Sequence, residues 1–74
     1  MICFHKIKFC VTLKVWRKLH QFTQGEMAEM AGFATSTYGF IEAGSNPPNM
    51  EQFVSLCKVM DYNPSEFFAD ESKL

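Results

Sequence analysis

Between Leu19 and Cys57 the chain contains no lysine and no arginine. The formal net charge is −1, with five of the seven basic residues (Lys6, Lys8, Lys14, Arg17, Lys18) gathered in the first quarter. No apolar run approaches the roughly 18 residues of a membrane-spanning helix, so no membrane association is expected. The opening M-I-C-F-H-K-I-K-F is interrupted by Lys6 and Lys8 and leads to no small-residue cleavage site, which argues against a secretory leader. Cys3, Cys10 and Cys57 form no C-x-x-C pair, and their odd number leaves no complete disulfide framework. With His5 they match no zinc spacing, so neither a metal nor another cofactor is expected. The plain reading is three small apolar side chains in a reducing cytoplasm. There is no glycine-rich phosphate loop, and His5 and His20 stand near no nucleophile-and-base set. The eight carboxylates are dispersed along helices, so no catalytic residue is expected and the chain is read as a non-enzyme.

What the chain does have is material for one small core. Seventy-four residues allow a single domain, and 47% hydrophobic with eight Phe and five Met supplies large side chains to fill it. The stretch from Phe22 to Gly44 organises the rest. Thr23 is a good N-cap, and Glu26 three residues later completes a capping box for a helix over 24–31. Met27, Ala28 and Ala31 form its narrow apolar face, and Ala28 leaves room for a close neighbour. Gly32 follows the last periodic position, where a residue with positive φ is required. A second helix over 35–43 places Tyr38 and Ile41 on one face and stops at Gly44. Helix, short turn with glycine, helix is the helix-turn-helix pattern.

Around this motif, Phe9, Leu13 and Trp16 predict the buried stripe of a first helix from about Phe9 to His20, with Lys14 and Lys18 solvated. Before it, Ile7, Phe9 and Val11 alternate with Lys6, Lys8 and Cys10. This period of two fits a short extended arm or strand paired with a second subunit, simple fraying, a longer first helix, or a basic arm reaching toward phosphate. S-N-P-P after Gly44 is a loop. Asn49 caps a fourth helix over 50–60 with Phe53, Leu56, Cys57 and Met60 at core spacing. Asn63-Pro64-Ser65-Glu66 starts a fifth helix of one to two turns through Phe68.

The run F-T-Q-x-E-M-A-x-x-A-G-F-x-x-S-T-Y-x-x-I-E-x-G, with N-P-P-N-M-E-Q-F-V-S-L-C-K-V-M-D-Y-N-P-S-E-F-F behind it and Leu13, Trp16 and Arg17 ahead of it, resembles the Cro/repressor (lambda-repressor-like) helix-turn-helix family. The resemblance covers roughly Phe9 to Phe68. It implies an all-α, five-helix DNA-binding domain over 9–69, an N-terminal extension over 1–8 and a frayed tail over 70–74. It also implies a cytoplasmic transcriptional regulator, acting as a homodimer on double-stranded operator DNA, without a cofactor.

The family's contacts map onto this chain by position. Gln24, at the start of the supporting helix, would meet phosphate or an adjacent base. Thr35 and Ser36 would face base edges and Thr37 would reach phosphate or cap the helix. Ser45 and Asn46 would touch phosphate from the loop beyond. Phe40 takes a place where family members often carry a long polar or basic reader. Arg17 and Glu42 would form an ion pair tying the first helix to the recognition helix. Gly39 and Phe40 depart from the family pattern. Glycine inside a helix costs about 1 kcal/mol relative to alanine, and phenylalanine can touch a thymine methyl but makes no bidentate contact to guanine or adenine. The alternative is a protein-interaction module on the same fold, with Phe40 as the anchor for a protein partner.

Overall fold

Phe9 and Leu13, four residues apart on the first helix, are fully buried and set the direction in which that helix faces the core. The computed structural model describes residues 2–70. Strand β1 (Ile2–Phe4) leads into helices α1 (Lys6–Leu19), α2 (Gln24–Ala31), α3 (Thr35–Ala43) and α4 (Met50–Met60). A four-residue 3-10 turn (Pro64–Phe67) and strand β2 (Phe68–Asp70) follow.

The helix starts and stops follow local chemistry. Thr23 Oγ1 accepts from the Glu26 amide at 3.1 Å while Glu26 Oε1 accepts from the Thr23 amide at 2.8 Å, closing the capping box of α2. Asn49 and Gln52 do the same for α4, at 2.8 and 3.0 Å. Gly32 and Gly44 end α2 and α3 in the left-handed region, at φ 88° and 80°. Asp61 ends α4 in the same region at φ 56° without a glycine's freedom.

The first helix begins at Lys6, three residues before the expected Phe9. Residues 6–11 are therefore helical and not an arm. The helix separates buried Phe9 from exposed Ile7 and Val11, whereas a strand would have set all three on one face. The strand lies earlier, at β1, and its partner is in the same chain. β1 pairs antiparallel with β2, with Phe4 opposite Phe68 and Ile2 opposite Asp70. Asp70 ends β2, and residues 71–74 of the expected tail lie outside the described residues.

The fifth helix is replaced by the 3-10 turn. Asn63 Oδ1 accepts from the Ser65 amide at 3.0 Å and Pro64 occupies the first position, so the start signals act as expected. Phe68, at φ −120° and ψ 144°, then turns extended to pair with β1. The fold is four α-helices with a 3-10 turn and a two-stranded ribbon.

That ribbon explains the phenylalanines. Phe4 lies 5.6 Å from Phe9, 5.2 Å from Phe53 and 5.4 Å from Phe68 between ring centres, and Phe9 meets Phe67 at 5.0 Å. Tilted and edge-on pairs at these distances add to plain area burial. The rest of the core comes from Met27 and Ala28 of α2, Tyr38 and Ile41 of α3, and Leu56, Cys57 and Met60 of α4. Burial, and to a lesser extent Glu66, pushes the Cys57 thiol up to about 11, so it behaves as a small hydrophobe. Among the described residues no helix is long and apolar enough to cross a membrane.

Candidate nucleic-acid interface

The centre of the site is a carboxylate in the interior. Glu42, on the last turn of α3, is only 5% exposed. Arg17 of α1 grips it from the side with a bidentate fork: Nε donates to Oε2 at 2.8 Å and Nη2 to Oε1 at 2.9 Å. The third guanidinium nitrogen, Nη1, donates to the Phe22 carbonyl at 3.0 Å. Tyr38, one turn before Glu42, donates its hydroxyl to Oε2 at 2.6 Å. Gln24, first residue of α2, donates its side-chain amide to Oε1 at 3.3 Å. Three helices therefore converge on one carboxylate, and among the described residues no buried side-chain nitrogen or oxygen lacks a partner.

The electrostatics follow from these contacts. Burial opposes ionisation of Glu42, but the hydrogen bonds from Arg17, Tyr38 and Gln24 together outweigh it and hold the carboxyl below its ordinary value. Burial first, and the ionised Glu42 second, push the Tyr38 hydroxyl well above its usual range, so it remains a donor. The cluster contributes orientation more than stability, since desolvation cancels much of a buried pair's Coulomb gain.

The surface that this cluster braces is the start of α3. Ala34 occupies its N-cap with extended backbone and offers no side-chain acceptor, which leaves the first-turn amides uncapped by any side chain. Thr35 and Ser36 are exposed there, and Thr37 is half-buried. Phe40, one turn further along, is 53% exposed. Ser45 and Asn46 are exposed beyond Gly44, and both of their amides donate back to the Phe40 carbonyl, at 3.0 and 3.3 Å. The loop after α3 is thereby pinned to the helix, with its side chains turned outward.

Gln24 is exposed at the start of α2, yet its amide lies across α3 toward Glu42. A Cβ built on Gly39 would meet Gln24 Oε1 at 3.5 Å, so Gly39 makes the seat on which that amide rests. Gln24 keeps one N–H and its carbonyl oxygen for another partner. Glu26, drawn to the Thr23 amide, places a negative charge at this same helix start.

Two features did not emerge from sequence reasoning. Tyr38 joins the Glu42 cluster, which the i, i+4 spacing on α3 could have indicated. Lys6 and Lys14 of α1 line a groove of about 490 Å³ with Ala43 and Gly44 at the end of α3. They bring cations to a helix that carries none of its own. Nothing local to either lysine signals this, because it depends on how α1 crosses α3.

Comparison with known proteins agrees with this geometry. A family model described as helix-turn-helix matches residues 13–67. The chain is 38% identical over 53 residues to an uncharacterized HTH-type transcriptional regulator, YobD, of Bacillus subtilis (strain 168). That match takes in 72% of this chain and 47% of the relative, so the chain spans about half of the relative's length. The solution structure of an SOS-response transcriptional repressor, LexA, from Eubacterium rectale superposes with a TM-score of 0.77 at 24% identity. The superposition covers 90% of this chain and 71% of that one, and it shows a shared fold.

Proposed function

The chain belongs to the helix-turn-helix family, and on that premise we propose that it is a sequence-specific DNA-binding transcriptional regulator of repressor type. In this reading α2 crosses the DNA backbone and α3 lies in the major groove with its first turn against base edges. Thr35 and Ser36 read bases through hydroxyls that donate or accept. Thr37, Gln24, Ser45 and Asn46 serve phosphates and set the register, which carries no sequence information by itself. Phe40 packs on a thymine methyl, where an exposed ring on a groove-facing helix has an apolar target. It is a base contact and not the anchor of a protein partner. Nothing in this role calls for catalysis or a cofactor.

The observation that carries the reading is the exposed, side-chain-uncapped first turn of α3, held rigid by the buried Glu42 cluster. A homodimer would place two such turns about 34 Å apart on a pseudo-palindromic operator. The absence of cations on α2 and α3 sets the expected character of the complex: weak as one protomer, and dependent on two half-sites for useful affinity. The experiment is a binding titration of Gln24→Ala combined with Ser36→Ala against a DNA fragment that the unaltered chain prefers. Loss of the preference with an unchanged melting temperature supports the reading, and binding equal to that of the unaltered chain refutes it.

A further inference from the structure

Helix α1 turns Phe9 and Leu13 to the core and makes side-chain hydrogen bonds to α3 from Cys10 and Arg17. Cys10 Sγ lies 3.2 Å from the Ile41 carbonyl, and Arg17 grips Glu42. The opposite side of α1 is apolar. Ile7, Val11, Val15 and Leu19 follow one another at four-residue spacing, with exposures of 80, 55, 50 and 75%. They form one continuous ridge of roughly 18 Å along the helix. Single exposed apolar residues are ordinary on a monomer, but a contiguous row is the mark of an interaction surface. Beside the ridge runs a groove of about 240 Å³, walled on its far side by Thr12, Trp16 and Tyr62 and lined by no charged residue.

We propose that α1 is the dimerisation helix. Two copies pack antiparallel about a two-fold axis, the Val11–Val15 ridge of each seated in the Trp16–Tyr62 groove of the other. A ridge of residues four apart, packed against its own copy, crosses at about −50°, the commonest angle for helix pairs. A two-fold needs just one such patch, complementary to itself, and a ridge lying beside a groove meets that condition. The short, stiff side chains of Val11 and Val15 sit at the middle of the row, where the crossing helices approach most closely. Ile7 and Val11 also border the groove that α1 shares with Glu42, Ala43 and Gly44 at the end of α3, whereas the first turn of α3, at Thr35 and Ser36, lies outside it and stays uncovered.

Charge decides how the pairing behaves. Lys8, Lys14 and Lys18 flank the ridge and α1 contains no acidic residue, so a second copy brings like charges. The crossing angle carries the helix ends apart and leaves Lys8 and Lys18 at a solvated rim. Added salt screens them and strengthens the dimer, the reverse of its effect on DNA binding. One helix face falls short of the roughly 800 Å² per partner of a standard interface. The free dimer is accordingly weak, and an operator that holds both protomers supplies the missing effective concentration.

The inference rests on the two-half-site reading, and its test is run without DNA so that the two can fail separately. Sedimentation equilibrium of the full chain, from roughly micromolar to millimolar concentration, is expected to show a monomer–dimer equilibrium that tightens with sodium chloride. Val11→Lys with Val15→Lys is expected to weaken it at least about ten-fold by setting unpaired charges into the centre of the contact. Val15→Asn does the same without added charge, and the melting temperature of each variant reports its fold. Three outcomes overturn the proposal. They are a chain that stays monomeric throughout, a dimer untouched by both variants, and a self-association that weakens as salt is added. Binding of a single half-site by the lysine variant, measured separately, isolates the DNA reading from the interface.

Discussion

Arg17 and Glu42, 25 residues apart in sequence, meet as a two-point fork at 2.8 and 2.9 Å, with the carboxylate side chain 2% exposed and the guanidinium side chain 14% exposed. The pair fixes the end of α3 to the last turn of α1, and Tyr38 and Gln24 extend the same grip to the middle of α3 and the start of α2. Arg17→Ala is expected to leave a buried carboxylate with only those two neutral donors. The cost should fall near the lower end of what losing one partner of a buried pair entails, about 3 kcal/mol. Chemical denaturation of the two proteins at neutral pH measures it.

The same carboxylate gives the domain an acid limb. Its folded value lies below the ordinary 4.5, because the Arg17, Tyr38 and Gln24 hydrogen bonds overcome the opposing effect of burial. A group depressed by folding contributes stability that is fully present above its unfolded value and is lost as pH falls through the folded one. Stability is expected to decline from about pH 5 downward. In Glu42→Gln, less stable at neutral pH, that decline should be flatter, as unfolding free energies taken at a series of pH values would reveal.

Much of the motif is legible locally. Thr23 and Glu26 close a box within four residues, and Gly32 and Gly44 mark their turns by a backbone conformation that few other residues adopt. The start of α1 is less legible because Ile7, Phe9 and Val11 satisfy a period of two while Phe9, Leu13 and Trp16 satisfy a helical one. Only the position of the core decides between them. The ribbon is invisible in sequence, since Phe4 and Phe68 pair across nearly the whole chain on three residues each. It also cuts short the fifth helix: Asn63 and Pro64 specify where a helical turn begins and carry no information about its length. In the site, the Tyr38 hydroxyl follows from its one-turn spacing to Glu42. The lie of the Gln24 amide across Gly39 depends on how closely α2 and α3 approach, which no single residue announces.

Gly39 offers a stabilising change. It is helical, and an added Cβ would make ordinary contact with Gln24 Oε1 at 3.5 Å. Gly39→Ala is expected to gain about 1 kcal/mol from helix propensity. For a domain of this size, that is a rise in melting temperature of roughly 4–8 °C. A calorimetric scan that shows a lower melting temperature would mean that the seat of Gln24 requires glycine.

Phe40 can be tested by removing the methyl group it is held to touch. Replacing the contacted thymine with deoxyuridine should weaken binding by about 0.8 kcal/mol, roughly four-fold, for one buried methyl. In Phe40→Ala the same replacement should have no effect. Competition titrations with the two duplexes against the two proteins complete the cycle. Equal sensitivity in both proteins would place the ring away from the base.

The most direct test of the regulator reading is fluorescence anisotropy of the whole chain against DNA fragments from the neighbourhood of its own gene, repeated across a salt series. Each phosphate neutralised contributes a slope of about −0.9 in log affinity against log salt. One preferred fragment is expected, bound with a slope of several units. Flat, non-selective or absent binding at every salt concentration would contradict it.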